Sequence, residues 1–497
     1  MLAVFQFDAA SIELIDRLIA EGRLPALAEL RRRGRWERLA AETDLFEASI
    51  YPTLFSGIEV ADHGLYYPFG WSAEEQRLRY MSSFGTPELV WERLDTAGAR
   101  SLVIDPYQIW KDGMEHGVSF SGWGFQHRVI PSWGHPRREW RRAVRKFGRP
   151  RLLVDVAGRR SQRDLLRMLD LFLEGPGRVA GLFTDLLARE SFDLAWVSLI
   201  SVHLGGHLLW DLSQLHGSGV SDDERARLEG GLADVYERAD EALGRMVEAL
   251  PSGADLVVLS PLGMGVNTTR SDLLPGMVEN ILLGEKPAGV GPVGDPVWRV
   301  RARVPAFVRR AVNRALPGPQ LREAVARTYM SGFEWNRTHV FTLPGDHFGY
   351  VRLNVRGRER DGIVEPAEAD ALAEQLAAGL ATFSDDDGAP SIARVHRPQL
   401  ELHGRRAELL PDLVVRWSDH PSTRVTGVSS PSHGSVARRD VGVGRSGNHW
   451  PGAWVLTVPG ASSELDLGRR PQITDLAATA MRLSGERNDL PGRSLLG

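Results

Sequence analysis

At 497 residues, with 42% hydrophobic and 25% charged residues, the chain has the composition of a globular protein long enough for one large α/β domain with insertions or for two ordinary domains, which excludes disorder as its main state. Lysine plus arginine (60) nearly balance aspartate plus glutamate (64), so the net charge of -4 gives no reason to expect nucleic acid or an anionic membrane as the principal partner. The absence of cysteine excludes disulfides, thiolate metal sites and a cysteine nucleophile, and any metal must be held through nitrogen and oxygen.

The opening MLAVFQFDAASIELIDRL lacks the basic start and long apolar run of a secretory signal. No later stretch of about 18 apolar residues reads as a membrane span, so a cytoplasmic protein is expected. Leu2 to Phe7 predicts a strand, and the helix after it has Ser11 as cap, Leu14, Ile15, Leu18 and Ile19 as apolar face and Gly22 near its end. Asp8 therefore follows a strand's carboxyl end, where the loops of open α/β sheets converge on ligands. By itself it is equally a turn or capping carboxylate. Apolar runs at Ser101–Ile104, Leu194–Ile200, Asp255–Ser260 and Ala453–Val458 alternate with helical periodicity, which predicts a mainly parallel sheet covered by helices.

Two regions interrupt that alternation and read as lids or caps on a single domain spanning 1–497. The first, about 107–188, carries Trp123, Trp133, Trp140 and RREWRRAVRKFGRPR; the second, about 273–330, carries VRARVPAFVRRAVNR. Such arginine runs fit a solvated helix face, and alternatively a surface for an anionic substrate or partner. Further on, GYVRLNVRGRERDGIV predicts a strand and a loop.

The segment FDLAWVSLISVHLGGHLLWDL sets His203 and His207 four apart at the start of a predicted helix, on one face, as a two-ligand device for zinc requires. Among fourteen histidines such a pair arises readily by chance, so it needs a third ligand from elsewhere. SGNHWPGAWVLTVPG offers one, placing His449 in a glycine-rich loop before a predicted strand.

In order and spacing, the series FDAASIELIDRLIAEGRLPALAELRRRGRWERL, IYPTLFSGIEVADHG, WERLDTAGARSLVID, HLGGHLLWDL, LSPLGMG, NRTHVF, NVRGRERDGIV, LPDLVV and SGNHWPG resembles predicted phosphohydrolases and phosphomutases of the alkaline phosphatase superfamily. That group includes the type I phosphodiesterase/nucleotide pyrophosphatases, and the resemblance covers nearly the whole chain. It implies an α/β/α sandwich with a mainly parallel central sheet and helical cap insertions, a two-metal centre, a Thr or Ser nucleophile and hydrolysis of phosphate or related esters.

Carried over by residue, the family's first-strand aspartate is Asp8, its Asp-x-x-x-His motif appears as His203-x-x-x-His207, and its late Gly-x-His histidine is His449. The Ser-Asp-His-Gly motif that serves the second metal reads Ser260-Pro261-Leu262-Gly263, and neither proline nor leucine binds metal. Counting back from Ser56-Gly57 and His63-Gly64, the nucleophile position falls on Glu47, while a slip of one or two residues offers Ser49. His63 matches the family's structural turn histidine.

The resulting expectation is one zinc on His203, His207 and His449, with Asp8 beside it as a further ligand or catalytic group, and an open position. Zinc-bound water would attack a phosphodiester or related ester with Glu47 as general base, while Asn267 and Arg270 bind the small anionic substrate. The alternatives are Glu47 as nucleophile, a second divalent ion on Asp8 and Glu47, a non-hydrolytic reaction on the same metal, and a catalytically silent binding or scaffold protein. The oligomeric state is left open.

Overall fold

Apolar runs without alternation make strands buried on both faces, the mark of a sheet covered by helices on either side. The central sheet has eight strands: β1 (Leu2–Phe7), β2 (Arg35–Arg38), β3 (Ser101–Ile104), β4 (Val118–Ser121), β5 (Trp133–His135), β6 (Leu194–Leu199), β7 (Asp255–Ser260) and β8 (Trp454–Val458). Their order is β2-β8-β7-β1-β6-β3-β4-β5. The run β7, β1, β6, β3, β4 is parallel, and β8 and β5 are antiparallel to their neighbours. Every residue of β1, β3, β4, β6 and β8 is buried. This computed structural model describes residues 1–41, 45–108, 114–127, 132–153, 161–212, 221–282, 323, 326–327, 330, 333–438, 444–461, 463–466, 468–485 and 489–497.

The helix after β1, α1 (Ile12–Ala20), forms as its sequence predicts. The Ser11 hydroxyl accepts the Leu14 N–H at 3.3 Å, Leu14, Ile15 and Leu18 are buried, and Gly22 takes a φ of +74° just beyond the end. The turn before α2 (Ile50–Ser56) carries Glu47. Next come α3 (Arg137–Phe147), α4 (Gln162–Leu187), α5 (Ile200–Leu209) and α6 (Asp222–Glu248).

Residues 107–188, expected from the sequence to be a lid or cap, contribute to the central layer. Strands β4 and β5 extend the central sheet, and α4 packs Leu165, Leu169, Phe172, Val179 and Phe183 into the main core against α6 and β1. The arginine run is α3, whose Trp140 and Ala143 face that core while Arg137, Arg138, Arg141, Arg142 and Arg145 are exposed, a solvated face. The second basic run, residues 300–314, lies outside the described residues. Between β7 and β8 the chain builds a cap with its own antiparallel sheet, in the spatial order Val340–Leu343, Gly349–Leu353, Leu413–Trp417, Ile392–His396. The helices Leu274–Leu282 and Pro366–Leu380 pack on it around Met277, Val351, Leu376 and Val415. The cap thus extends well past residue 330, and it rests on a sheet as well as on helices. Among the described residues no helix is long and apolar enough to cross a membrane.

Candidate metal centre

Three chain segments meet at the carboxyl edge of the parallel strands. Asp8 follows β1; His203 and His207 lie on α5, which leaves β6 directly; and the turn after β7 leads into a two-stranded ribbon, Gly263–Val266 against Gly447–Trp450, in which Met264 pairs with His449. His449 is therefore on a strand of that ribbon, not in a free loop. The ribbon lies close against α5, since a Cβ on Gly447 would fall 2.2 Å from the Gly206 carbonyl oxygen. That approach brings the Gly447 carbonyl to His207 Nδ1 at 2.9 Å.

The three imidazoles are buried and their Nε2 atoms converge. His203 Nε2 lies 2.9 Å from His207 Nε2 and 2.9 Å from His449 Nε2, and the ring centroids are 4.8–4.9 Å apart. The tautomers of two rings follow from their other nitrogens. A carbonyl only accepts, so His207 Nδ1 carries the hydrogen it donates to Gly447. Asp8 Oδ2 accepts from His203 Nδ1 at 2.7 Å, so that nitrogen is protonated as well. With their hydrogens on Nδ1 the two rings turn Nε2 toward each other at 2.9 Å, where two lone pairs repel unless a proton or a metal ion lies between them. Burial, with Arg445 and the other histidines adding to it, pushes His207 well below the usual histidine range, which keeps its own Nε2 lone pair unprotonated. Burial and the neighbouring histidines act on His449 in the same direction. The donor set fits a metal ion: three imidazole nitrogens within 4.8 Å of one another, two of them held from behind by a carboxylate and a carbonyl.

Asp8 is fully buried, and its place differs from the expectation of a ligand or catalytic group. It stands on the Nδ1 side of His203, away from the converging Nε2 atoms. Its oxygens are also taken by Gln6 Nε2 at 2.8 Å and by the Tyr51 hydroxyl at 3.1 and 3.2 Å. Tyr51 reaches Asp8 from α2. Tyr107 closes the same side, edge-on to His203 at 4.9 Å between centroids. The rest of the family's second-metal motif is apolar: Leu262 is buried in the core formed with Met264, and Ser260 Oγ donates to the Leu262 carbonyl at 2.6 Å.

Glu47 is buried beneath the cap. Its Oε2 accepts from the Tyr350 hydroxyl at 3.1 Å, its Oε1 has no hydrogen-bond partner among the described residues, and burial pushes its carboxyl up to about 7. Ser49, the slipped alternative, donates to the Phe46 carbonyl at 2.8 Å. His63 accepts the Leu65 N–H on Nδ1 at 3.0 Å and bonds Thr53 through Nε2 at 3.0 Å, so it pins the turn after α2. Neither Asn267 nor Arg270 is presented to a substrate. Asn267 Nδ2 donates to the Arg445 carbonyl and Oδ1 accepts from Thr269 N–H, so it ties the ribbon to the cap. The fully buried Arg270 guanidinium pairs with Asp385 and donates to the Thr268 carbonyl, a structural cation of the cap. Arg445, in the same RSGNH segment as His449, was passed over by sequence reasoning; its side chain pairs with Asp346 of the cap at 3.2 Å.

A mixed α/β fold with helices around a large, mainly parallel central sheet matches that of alkaline phosphatase-like proteins. The sequence model of the type I phosphodiesterase/nucleotide pyrophosphatase family matches residues 2–442, and the chain belongs to that family. Among solved structures, the chain is similar to phosphonoacetate hydrolase from Sinorhizobium meliloti 1021 in complex with phosphonoformate, with a TM-score of 0.51 and 14% identity over 97% of this chain and 95% of that one. At that identity the likeness establishes the fold alone. A murine ectonucleotide pyrophosphatase/phosphodiesterase 5 in complex with AMP gives a TM-score of 0.49 and 11% identity over 100% of this chain and 99% of that one. A comparison with curated protein sequences gives no match.

Proposed function

We propose that the chain is a metal-dependent hydrolase of a phosphodiester or related small anionic ester, with one zinc on His203, His207 and His449 and with Glu47 as its base. The observation that carries this reading is the pair of fixed tautomers, which turns the Nε2 lone pairs of His203 and His207 toward each other at 2.9 Å. Three imidazoles suit a borderline-soft dication, and among the described residues no fourth protein donor joins the set, as in a catalytic site. When bound, such an ion supplies a Lewis acid and makes water a competent nucleophile near neutral pH.

The chain's own residues supply the remainder. Asp8 holds His203 in its tautomer and orientation, and Gly447 does the same for His207. A carboxyl pushed up to about 7 exchanges a proton near neutral pH, and the unpartnered Oε1 of Glu47 is the atom that would take one. Tyr350 keeps the other oxygen in place. The buried Leu262, in the position of a family ligand, favours the rival reading of a silent binding protein, and it also limits the active reading to a single ion.

The test is hydrolysis of a panel of phosphodiesters and sulfate esters by the chelator-treated chain before and after zinc is restored. Activity is expected to return with zinc and to fall about a hundredfold or more in Glu47→Gln. Unchanged turnover in that variant removes Glu47 from the chemistry. A zinc-loaded chain inert toward every ester favours the binding protein.

A further inference from the structure

The candidate metal centre gives no reason for the charge on α3. Residues 137–151 carry eight arginines and lysines against one carboxylate, Glu139, in a chain whose net charge is -4. Arg137, Arg138, Arg141, Arg142 and Arg145 are exposed along the outer face of α3, with Lys146 and Arg149 exposed at its end. Glu139 is buried and pairs inward with Arg189 at 3.0 Å, and it comes no nearer to Arg138 than 3.9 Å. Lys146 pairs with Asp185, whereas Arg137, Arg141, Arg142, Arg145 and Arg149 have no acidic partner among the described residues.

Other surface helices place an acid three or four residues from each arginine, as in Arg17 with Glu21, Arg32 with Glu29 and Arg238 with Glu241. On α3 that spacing repeats the same sign, at 137, 141 and 145 and at 138, 142 and 146. Like charges so spaced destabilise a helix, so this one is held by its inner face. Trp140 and Ala143 pack on the main core, and Arg178 donates to the Phe147 and Gly148 carbonyls at 2.9 and 3.0 Å. The Arg178 guanidinium lies over Trp123, 4.8 Å from its ring centroid, and the Trp123 N–H donates to Asp105 just past β3 at 2.7 Å. The basic face therefore ends at the carboxyl edge of the sheet, the same edge that carries the three histidines.

We propose that the outer face of α3 docks the protein on an anionic lipid surface. A cluster of arginine and lysine on one face of an amphipathic helix has the charge complementarity that acidic headgroups require. The apolar face is committed to the core, so the contact is electrostatic, without insertion, and is screened by salt. Nucleic acid recognition asks for more than this face offers. It presents no Asn, Gln, Ser or Thr to read base edges, and among the described residues no aromatic side chain is exposed to stack a base. Docking through α3 brings the carboxyl edge beside the headgroups, and it stands independently of the metal reading.

The test is flotation of the full chain with vesicles of phosphatidylcholine, alone or mixed with phosphatidylglycerol, at low and high salt. Wild type is expected to float only with the mixed vesicles and to be released by salt. Replacing Arg137, Arg141 and Arg145 together by Gln is expected to weaken binding about a hundredfold, and replacing them by Lys to preserve it. The glutamine variant is expected to melt no lower than wild type, since it relieves like-charge repulsion, so its lost binding is not unfolding. A control that replaces the paired Arg17, Arg32 and Arg238 by Gln removes the same charge elsewhere and is expected to bind as wild type does. A wild type that floats with neither vesicle, a glutamine variant that binds unchanged, or a control that loses as much overturns the proposal. So does a DNA duplex that strips wild type from the mixed vesicles at equal phosphate concentration, which assigns the face to nucleic acid.

Discussion

The half of the candidate site built on α5 and the Gly447–Trp450 strand gathers three imidazoles, whereas the half around Asp8 and the turn after β7 is closed by hydrogen bonds and a buried leucine. In the first half two imidazoles are held from behind and three nitrogens face one point, while His449 Nδ1 has no hydrogen-bond partner among the described residues. In the second, Leu262 has joined the apolar core and Tyr51 and Gln6 occupy the oxygens of Asp8. A buried carboxylate must find partners, because an unpaired buried charge costs several kcal/mol. Here the partners of Asp8 are His203, Gln6 and Tyr51.

The substitution with the largest expected effect is His203→Ala, which strikes both halves at once. It removes a ligand and strands Asp8, so zinc uptake is expected to vanish, and the metal-free variant is expected to lose about 3–5 kcal/mol in denaturant titration. A loss near zero would separate the two halves. Next is Leu262→Ala, at a fully buried position, expected to cost about 2–5 kcal/mol while zinc content stays unchanged. Zinc lost along with stability would mean that the apolar half also shapes the ligands.

Glu47 sharpens the comparison through pH. Its folded carboxyl, at about 7, lies above the unfolded value near 4.5, so the folded chain keeps a proton that the unfolded chain has released. Stability of the chelator-treated protein is therefore expected to fall as pH rises from 4.5 through 7 and to level off above, by about 3 kcal/mol in all. Glu47→Gln is expected to flatten that slope, being more stable than wild type at pH 8 and equal to it near pH 4. A slope unchanged in the variant assigns it to another group. The smallest effect is expected for Gly447→Ala, whose Cβ would push the ribbon off α5 and loosen the hydrogen bond to His207, lowering zinc affinity by about tenfold. Isothermal titration of zinc into the two proteins measures it.

Much of this was legible in the sequence, for identifiable reasons. The expected strands recur in the central sheet because parallel strands are continuous apolar runs, and those are conspicuous. Strands β2, β4 and β5 escaped notice because Arg35–Arg38, Val118–Ser121 and Trp133–His135 are short and mixed. Helix α4 was hidden by the arginines and tryptophans before it, although its own apolar spacing, Leu165, Leu169, Phe172, is regular. The three histidines were recognisable as residues, and their spacing set two of them on one helix face. The role of Asp8 was not, since it depends on Tyr51 and His203 arriving from distant segments. Arg270 misled because its partner, Asp385, is 115 residues away. Arg445 gave only one signal, its place four residues before His449.

The most direct test of the central claim is the metal content of the purified full-length chain, measured by elemental analysis beside His203→Ala and His449→Ala. The account predicts about one zinc per chain in the wild type and none in either variant. Two ions per chain, or a metal content that survives loss of either histidine, would contradict it.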